Sequence, residues 1–313
     1  MPNARGFTLV DLLATVAVAL PLGAVAAVTL GPQSGVVAGS RQAKDGEQLG
    51  QIHRALAVTP SFDPKNAFPL PGRVNRKAAV DTNGKPIQVS GMGPIDEMKN
   101  SHANLWSFLI AVECLSPATL VSPLERNPKV SVVQDYAFNA YDPPADRYWD
   151  GDGPEGDGDV PASRRVTTDL AVKSCTSYAT IPLDPSPRRD AEWKMSANPK
   201  FVLLGNRGPV DGDPEATIPG SDPARKNTES LSILLHGEAG RWAGFTVTGD
   251  GSTRLVRTVT PPFLAPVRTG DTTAPDNLFR EDGEPRTRGD VFLAIVRRCM
   301  DREGATVSEL SWD

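Results

Sequence analysis

The sequence predicts an α+β protein in which one long N-terminal helix leads into an antiparallel β-sheet head. Three observations carry that expectation. From Phe7 to Leu30 the chain is predominantly apolar and carries one charged residue, Asp11. A second helical pattern follows in SRQAKDGEQLGQIHRALAV. Beyond it, short alternating runs are separated by turn residues in a chain with 28 Gly and 29 Pro, a mix that favours turns over helical bundles.

A helix over residues 7–30 would be about 36 Å long, enough to cross a bilayer core of about 30 Å. Arg5 precedes it and the next basic residue is Arg41. The positive-inside rule therefore places the first residues in the cytoplasm and the remainder outside it. A secretory signal peptide has a basic leader, a short apolar stretch and a small-residue cleavage site. Here the stretch is long and carries an acid near its start. A plain signal anchor leaves Asp11 without a role, and the length argues against a buried core helix. Pro21 removes one helical hydrogen bond and predicts a kink.

The helix extension carries Leu49, Ile52, Ala55 and Leu56 on one face. The small-residue stretch from Gly31 to Gly39 predicts a break before it, and His53 is expected at the surface or rim. TPSFDPKNAFPLPGR reads as a Pro-rich exit, and Val74–Asn100 as a hairpin or loop. Asn104–Leu115 reads as an amphipathic helix with Leu105, Phe108, Leu109 and Val112 inward, stopped by Pro117. VSVVQDYAFNAYD, LAVKSCTSYATIPL, KFVLLGNRGPV, SLSILLHG, GFTVTGDGSTRLVRTV and DVFLAIVRRC read as strands. Gly249-Asp250-Gly251 marks a tight hairpin turn. The segment 269–289 has no periodicity and reads as loop.

Charge and composition narrow the function. The net charge is −5, which argues against nucleic acid, whose binders usually show a basic face. The three cysteines, Cys114, Cys175 and Cys299, form no CxxC pair, so a zinc or thioredoxin-type site is not expected. One disulfide or three buried thiols both fit. Asp150, Asp152, Asp157 and Asp159 cluster on a Gly-rich loop, as calcium ligands do. Pro154 and Glu155 stand where an EF-hand loop needs other residues, and a solvated acidic turn fits the pattern better. His236, Asp250 and Ser252 lack a GxSxG elbow; a structural hydrogen bond between His236 and Asp250 across two strands is the simpler expectation. Asn206-Arg207-Gly208-Pro209 reads as a turn whose cation pairs with a carboxylate.

The residues RGFTLVDLL resemble the prepilin cleavage and methylation motif of type IV pilins and type II secretion pseudopilins. The resemblance implies cleavage after Gly6 by a prepilin peptidase, N-methylation of Phe7, and an assembly role for the acid at the fifth mature position, here Asp11 in place of the usual Glu. A carboxylate within a bilayer costs about 2.5 kcal/mol or more. In that family its partner is the N-terminal amine of a neighbouring subunit, which cleavage creates. LGQIHRAL, NLWSFLIAVECLSPATLVSP (with Ser122 where Cys is common), FVLLGNRGPV and HGEAGRWAGFTVTGDGSTRLV further resemble the pseudopilin-like family of planctomycete bacteria. In that family a C-terminal His precedes an Asp-Gly hairpin at a shorter spacing than here.

The expected organisation is a leader at 1–6, a transmembrane and assembly helix at 7–30, a helix extension at 31–58 and an extracytoplasmic head at 59–313. The resemblance implies a non-catalytic subunit, crossing the inner membrane once, that partners the prepilin peptidase and other pilin-like subunits. No cofactor is expected unless the acidic loop takes calcium. Two other classes stay open: an anchored binding module for calcium or a glycan, and a tethered hydrolase.

Overall fold

The computed structural model describes residues 33–59, 67–74, 79–80, 83, 86–87, 94–143, 147–150, 160–219, 224–238, 240–283 and 287–312. The chain divides into two compact units, Met1–Ala43 and Lys44–Asp313. Of the first, only the start of a helix is described. Helix α1 is assigned over Gln33–Val58, so the stretch expected to break before residue 40 is helical from Gln33. Among the described residues no helix is long and apolar enough to cross a membrane; the expected span 7–30, with Pro21, lies outside them.

The second unit is α+β with antiparallel strand pairing throughout its named sheets. After α1 come α2 (Pro71–Val74), β1 (Ala79–Val80), β2 (Pro86–Ile87) and α3 (His102–Ala111). Next are β3 (Thr168–Asp169), β4 (Lys173–Ser174), β5 (Tyr178–Thr180), α4 (Pro187–Glu192) and β6 (Val202–Asn206). The chain closes with β7 (Gly244–Thr248), β8 (Thr253–Val256), β9 (Val267–Thr269), β10 (Thr272–Ala274), β11 (Ile295–Arg302) and β12 (Ala305–Ser311). The central sheet has the order β5-β6-β7-β8, and the other pairs are two-stranded.

Each element has a local cause. Ser101 caps α3, its hydroxyl accepting from Asn104 N at 3.2 Å. The helix ends at Ala111 rather than near Pro117, because Glu113 enters the left-handed region with φ 59°. Its residues His102–Ile110 are all buried, far more than one amphipathic face. The β7–β8 hairpin turns at Gly249-Asp250-Gly251 as expected. Gly251 has φ +81°, a conformation costly for residues with a Cβ, and Asp250 Oδ1 accepts from Ser252 N at 3.0 Å and Thr248 Oγ1 at 2.6 Å.

Three strand and loop readings are corrected. VSVVQDYAFNAYD forms no named strand: it joins Ser174 through an isolated bridge at Val130 and then makes a 3-10 turn at Phe138–Ala140. SLSILLHG also contains a 3-10 turn, Leu231–Leu234, entered through Ser230, whose hydroxyl accepts from Ser232 N. Short Ser caps satisfy the backbone there without a neighbouring strand. Residues 269–289, expected as loop, begin with the second half of the β9–β10 hairpin around Gly270 (φ +60°). The C-terminal β11–β12 hairpin, pairing Arg302 with Ala305 at its tip, extends the strand read in DVFLAIVRRC.

From Asp45 onward, helix α1 lies over the central sheet. Leu49, Ile52, Ala55 and Leu56 are at most 3% exposed, as their spacing predicted, and each large apolar side chain contributes about 1.5–3 kcal/mol on burial. Gly46 makes the approach close, for a Cβ there would sit 2.8 Å from the Phe245 ring of β7. His53 is buried rather than peripheral, edge-on to Phe68 with ring centroids 5.6 Å apart.

Candidate functional site

A buried polar cluster under α1 centres on Asp45. Period 3.6 places Asp45 and Gln48 on the same side of the helix. Asp45 Oδ1 accepts from Tyr178 Oη at 2.7 Å, and Oδ2 accepts from Asn206 Nδ2 at 3.0 Å. His236 Nε2 stands 2.6 Å from the same Oδ2, with both side chains fully buried. Gln48 continues the network. Its Oε1 accepts from Tyr178 Oη at 3.2 Å, and its Nε2 donates to the carbonyls of Ala118 and Val121. Asn206 Oδ1 accepts from Phe245 N at 2.6 Å.

This network fixes the charge state of its centre. Burial alone would raise the Asp45 pKa, but hydrogen bonds from His236, Ser122 and Tyr178 outweigh it and hold the carboxyl below its ordinary range. Burial, and then the Asp45 charge, push Tyr178 well above the ordinary phenol value. Tyr178 is thus a neutral donor to an ionised acid. With no exposed edge on either His236 or Asp45, the pair joins elements: α1, β5, β6 and the turn after Leu234 meet at one carboxylate.

His236 therefore takes its carboxylate from α1 and not from Asp250, which the hairpin reading had offered. Residues 231–234 form a 3-10 turn, so no strand carries His236 alongside Asp250. Asp250 instead closes its own turn, its pKa lowered by hydrogen bonds from Thr248 and Ser252. Sequence spacing gave no signal for the Asp45 pairing, because the partner lies 191 positions away. Arg207 does pair with a carboxylate as expected, through two hydrogen bonds to Glu125, one of them at 2.9 Å.

Of the acidic loop, Asp152, Asp157 and Asp159 lie outside the described residues. Asp150 is a core residue and not a solvated ligand. Its Oδ1 accepts from Ser107 Oγ at 2.7 Å and its Oδ2 from Val166 N at 2.7 Å. Burial raises its pKa to about 6 against the lowering pull of those bonds. Gly6, Phe7 and Asp11 also lie outside the described residues.

Sequence reasoning did not single out His102. It is fully buried, accepts at Nδ1 from Val296 N at 2.8 Å, and lies with Nε2 2.7 Å from Thr180 Oγ1. An acceptor at Nδ1 requires the proton on Nε2 in the neutral ring, so His102 donates to Thr180 and ties α3 to β5 and β11. Burial lowers its pKa to about 3.

The three cysteines are free thiols, Cys175 and Cys299 buried and Cys114 half-buried. A second acidic group, Asp276, Asp282 and Asp290, brings three carboxylate oxygens within 4.8 Å of one another. Burial, reinforced by the neighbouring Asp290 and Asp282, raises the Asp276 pKa to about 8.

No protein-family model, curated protein or solved structure matches this chain.

Proposed function

We propose that the chain is a non-catalytic pilin-like subunit of pseudopilin type. A prepilin peptidase would cut after Gly6, Phe7 would be methylated, and residues 7–30 would hold the protein in the inner membrane with its head outside the cytoplasm. Neighbouring subunits would meet through these apolar helices, with Asp11 setting register by pairing with a Phe7 amine. The motif RGFTLVDLL is the observation that carries this reading.

The head is consistent with it. A filament subunit must pass load from an apolar assembly segment to a folded domain. Here the chain enters the head as a helix clamped by an ionised buried carboxylate, Asp45, and by four apolar residues on its inner face. The bond set joins the helix to two strands of the central sheet, so that the helix and the sheet resist separation as a unit.

Intact-mass and N-terminal peptide analysis of the protein isolated from its native membrane tests the proposal. A mature chain starting at methylated Phe7 is the expected result. A chain that keeps Met1 in cells known to process prepilins would refute it.

A further inference from the structure

At the open end of the β7–β8 ladder the surface folds inward into a cavity of about 380 Å³. It shares no residue with the Asp45 network, and nothing in the pilin-like reading calls for it. Gly244 with Val256 is the last pair of that ladder. Arg241 comes three residues before the pair and Arg257 directly after it, so both cations leave the sheet at the same end and line the same cavity.

The walls are pinned by bonds that need no ligand. On one side Pro209 and Pro214 bracket a turn held by the buried Asn227, whose Oδ1 accepts from Val210 N at 3.2 Å and whose Nδ2 donates to Asp213 O at 2.7 Å. On another, Val259 O accepts from Leu278 N at 2.8 Å. The base is Trp242, 4% exposed, with Ile233 beside it in the lining. Trp242 Nε1 donates to Arg207 O at 3.1 Å, and its ring meets Phe279 edge-on with centroids 4.9 Å apart. A preformed, largely apolar cavity of this size lies within the range of small-ligand sites, about 300–1,000 Å³.

Its polar equipment is narrow. Arg241 and Arg257 are exposed, and among the described residues neither has an ion pair or a side-chain hydrogen bond. The lining contains no carboxylate. Its one hydroxyl, on Thr258, already accepts from Thr260 N at 3.2 Å. A sugar would bring many hydroxyls to a surface with few partners for them, at a cost for each one left unmet. A bare inorganic anion would leave the apolar base uncovered. The combination suits a ligand with an apolar body and one anionic end, since guanidinium groups match the planar geometry of a carboxylate.

We propose that this cavity binds an apolar carboxylate, its hydrocarbon part against Trp242, Ile233 and Val259 and its carboxylate held by Arg241 and Arg257. Such a group is presented either by a free aliphatic or aromatic acid or by the C-terminal residue of a peptide ending in an apolar side chain.

The test is titration calorimetry on the full chain in non-ionic detergent, whose headgroups carry no charge to compete for the arginines. The probes are 3-phenylpropionate and acetyl-Gly-Gly-Phe with a free C-terminus, each beside its amide. We expect the acids to bind and their amides to bind at least about tenfold more weakly, the loss of a charged hydrogen bond. Arg241→Gln and Arg257→Gln should each weaken the acids by a similar factor, while the exposed Arg126→Gln should not. Both sites are on the surface, so melting temperatures should stay near wild type and show that the fold survives. Tighter binding of the peptide than of 3-phenylpropionate assigns the site to a chain terminus; equal or weaker binding assigns it to a free acid. The proposal is overturned if neither acid binds up to about 10 mM, a concentration far above the dissociation constants of specific sites. It is equally overturned if acid and amide bind alike, or if binding persists undiminished in the double variant, as partition into micelles would.

Discussion

Asp45 and His236 stand 191 positions apart in the chain, and their side chains meet at 2.6 Å with neither exposed to solvent. The contact holds the helix that enters the head against the turn that precedes β7. Tyr178 and Asn206 complete the shell around the same carboxylate. Removing the acid strands three buried polar partners at once.

The first prediction follows from that. Asp45→Ala should cost about 3–5 kcal/mol, because it leaves three buried polar partners without their acceptor, each at about 1–3 kcal/mol before relaxation. For a unit of this size that lowers the melting temperature by roughly 10 °C. Asp45→Ala and His236→Ala combined should cost less than the sum of the two, since each alone orphans the other. Additive losses in a double-mutant cycle would show that the two side chains do not couple.

Legibility in the sequence tracked how local each interaction is. The inward face of α1, the β7–β8 hairpin and the pairing of Arg207 were readable because periodicity, a Gly-Asp-Gly turn and a lone cation in a turn are local signals. Asp45 and His102 were not, since a polar residue on a helix reads as solvent-facing until its distant partner is known. The segment around Gln134 failed for a different reason. Its alternation matched a strand, but turns capped by local hydrogen bonds satisfied the backbone instead. Asp150 shows a third kind of failure. In a run of Asp and Gly it looks solvated, yet Ser107 and Val166 draw it into the core.

Asp150 supplies a pH prediction. Its folded pKa is about 6 against an ordinary value of 3.8. Between these values the folded protein keeps a proton that the unfolded chain has released. Stability from this group is therefore full below about pH 4 and falls as pH rises to 6, by about 3 kcal/mol in total. Asp150→Asn, which can still offer its oxygen to Val166 N, should erase that step and make the protein more stable than wild type at pH 7. Urea melts at pH 4.5 and pH 7 measure it. A variant weakened equally at both would mean that the acid is ionised in the fold without penalty.

His102 acts with the opposite sign. Its folded pKa is about 3, below the ordinary 6.5. The unfolded chain takes up a proton below pH 6.5 that the folded ring refuses, so stability is full above that value and is lost as pH falls towards 3. The total is on the order of 5 kcal/mol. His102→Leu leaves the Val296 amide without its acceptor, at a cost of about 1–3 kcal/mol at pH 7.5. The variant should nonetheless lose less on acidification, so its stability curve should converge with the wild-type curve near pH 4. Parallel curves would show that the ring at position 102 carries no titration penalty.

The last prediction concerns the segment before the head. If Asp11 pairs with a neighbour's Phe7 amine, its charge matters only after cleavage at Gly6 and only between subunits. Asp11→Asn should therefore leave membrane insertion and peptidase processing intact, because the apolar span around it is unchanged and an amide costs less in lipid than a charge. Subunit association should fall, as read by crosslinking yield in membranes of cells expressing the processed protein. Asp11→Glu, which restores the charge with one more methylene, should return it. A second comparison separates register from simple adhesion: Gly6→Leu blocks cleavage and withholds the free amine, so in that background Asp11→Asn should have no further effect. Equal crosslinking in wild type and Asp11→Asn would remove the ion pair from the assembly mechanism and leave apolar helix packing as its sole basis.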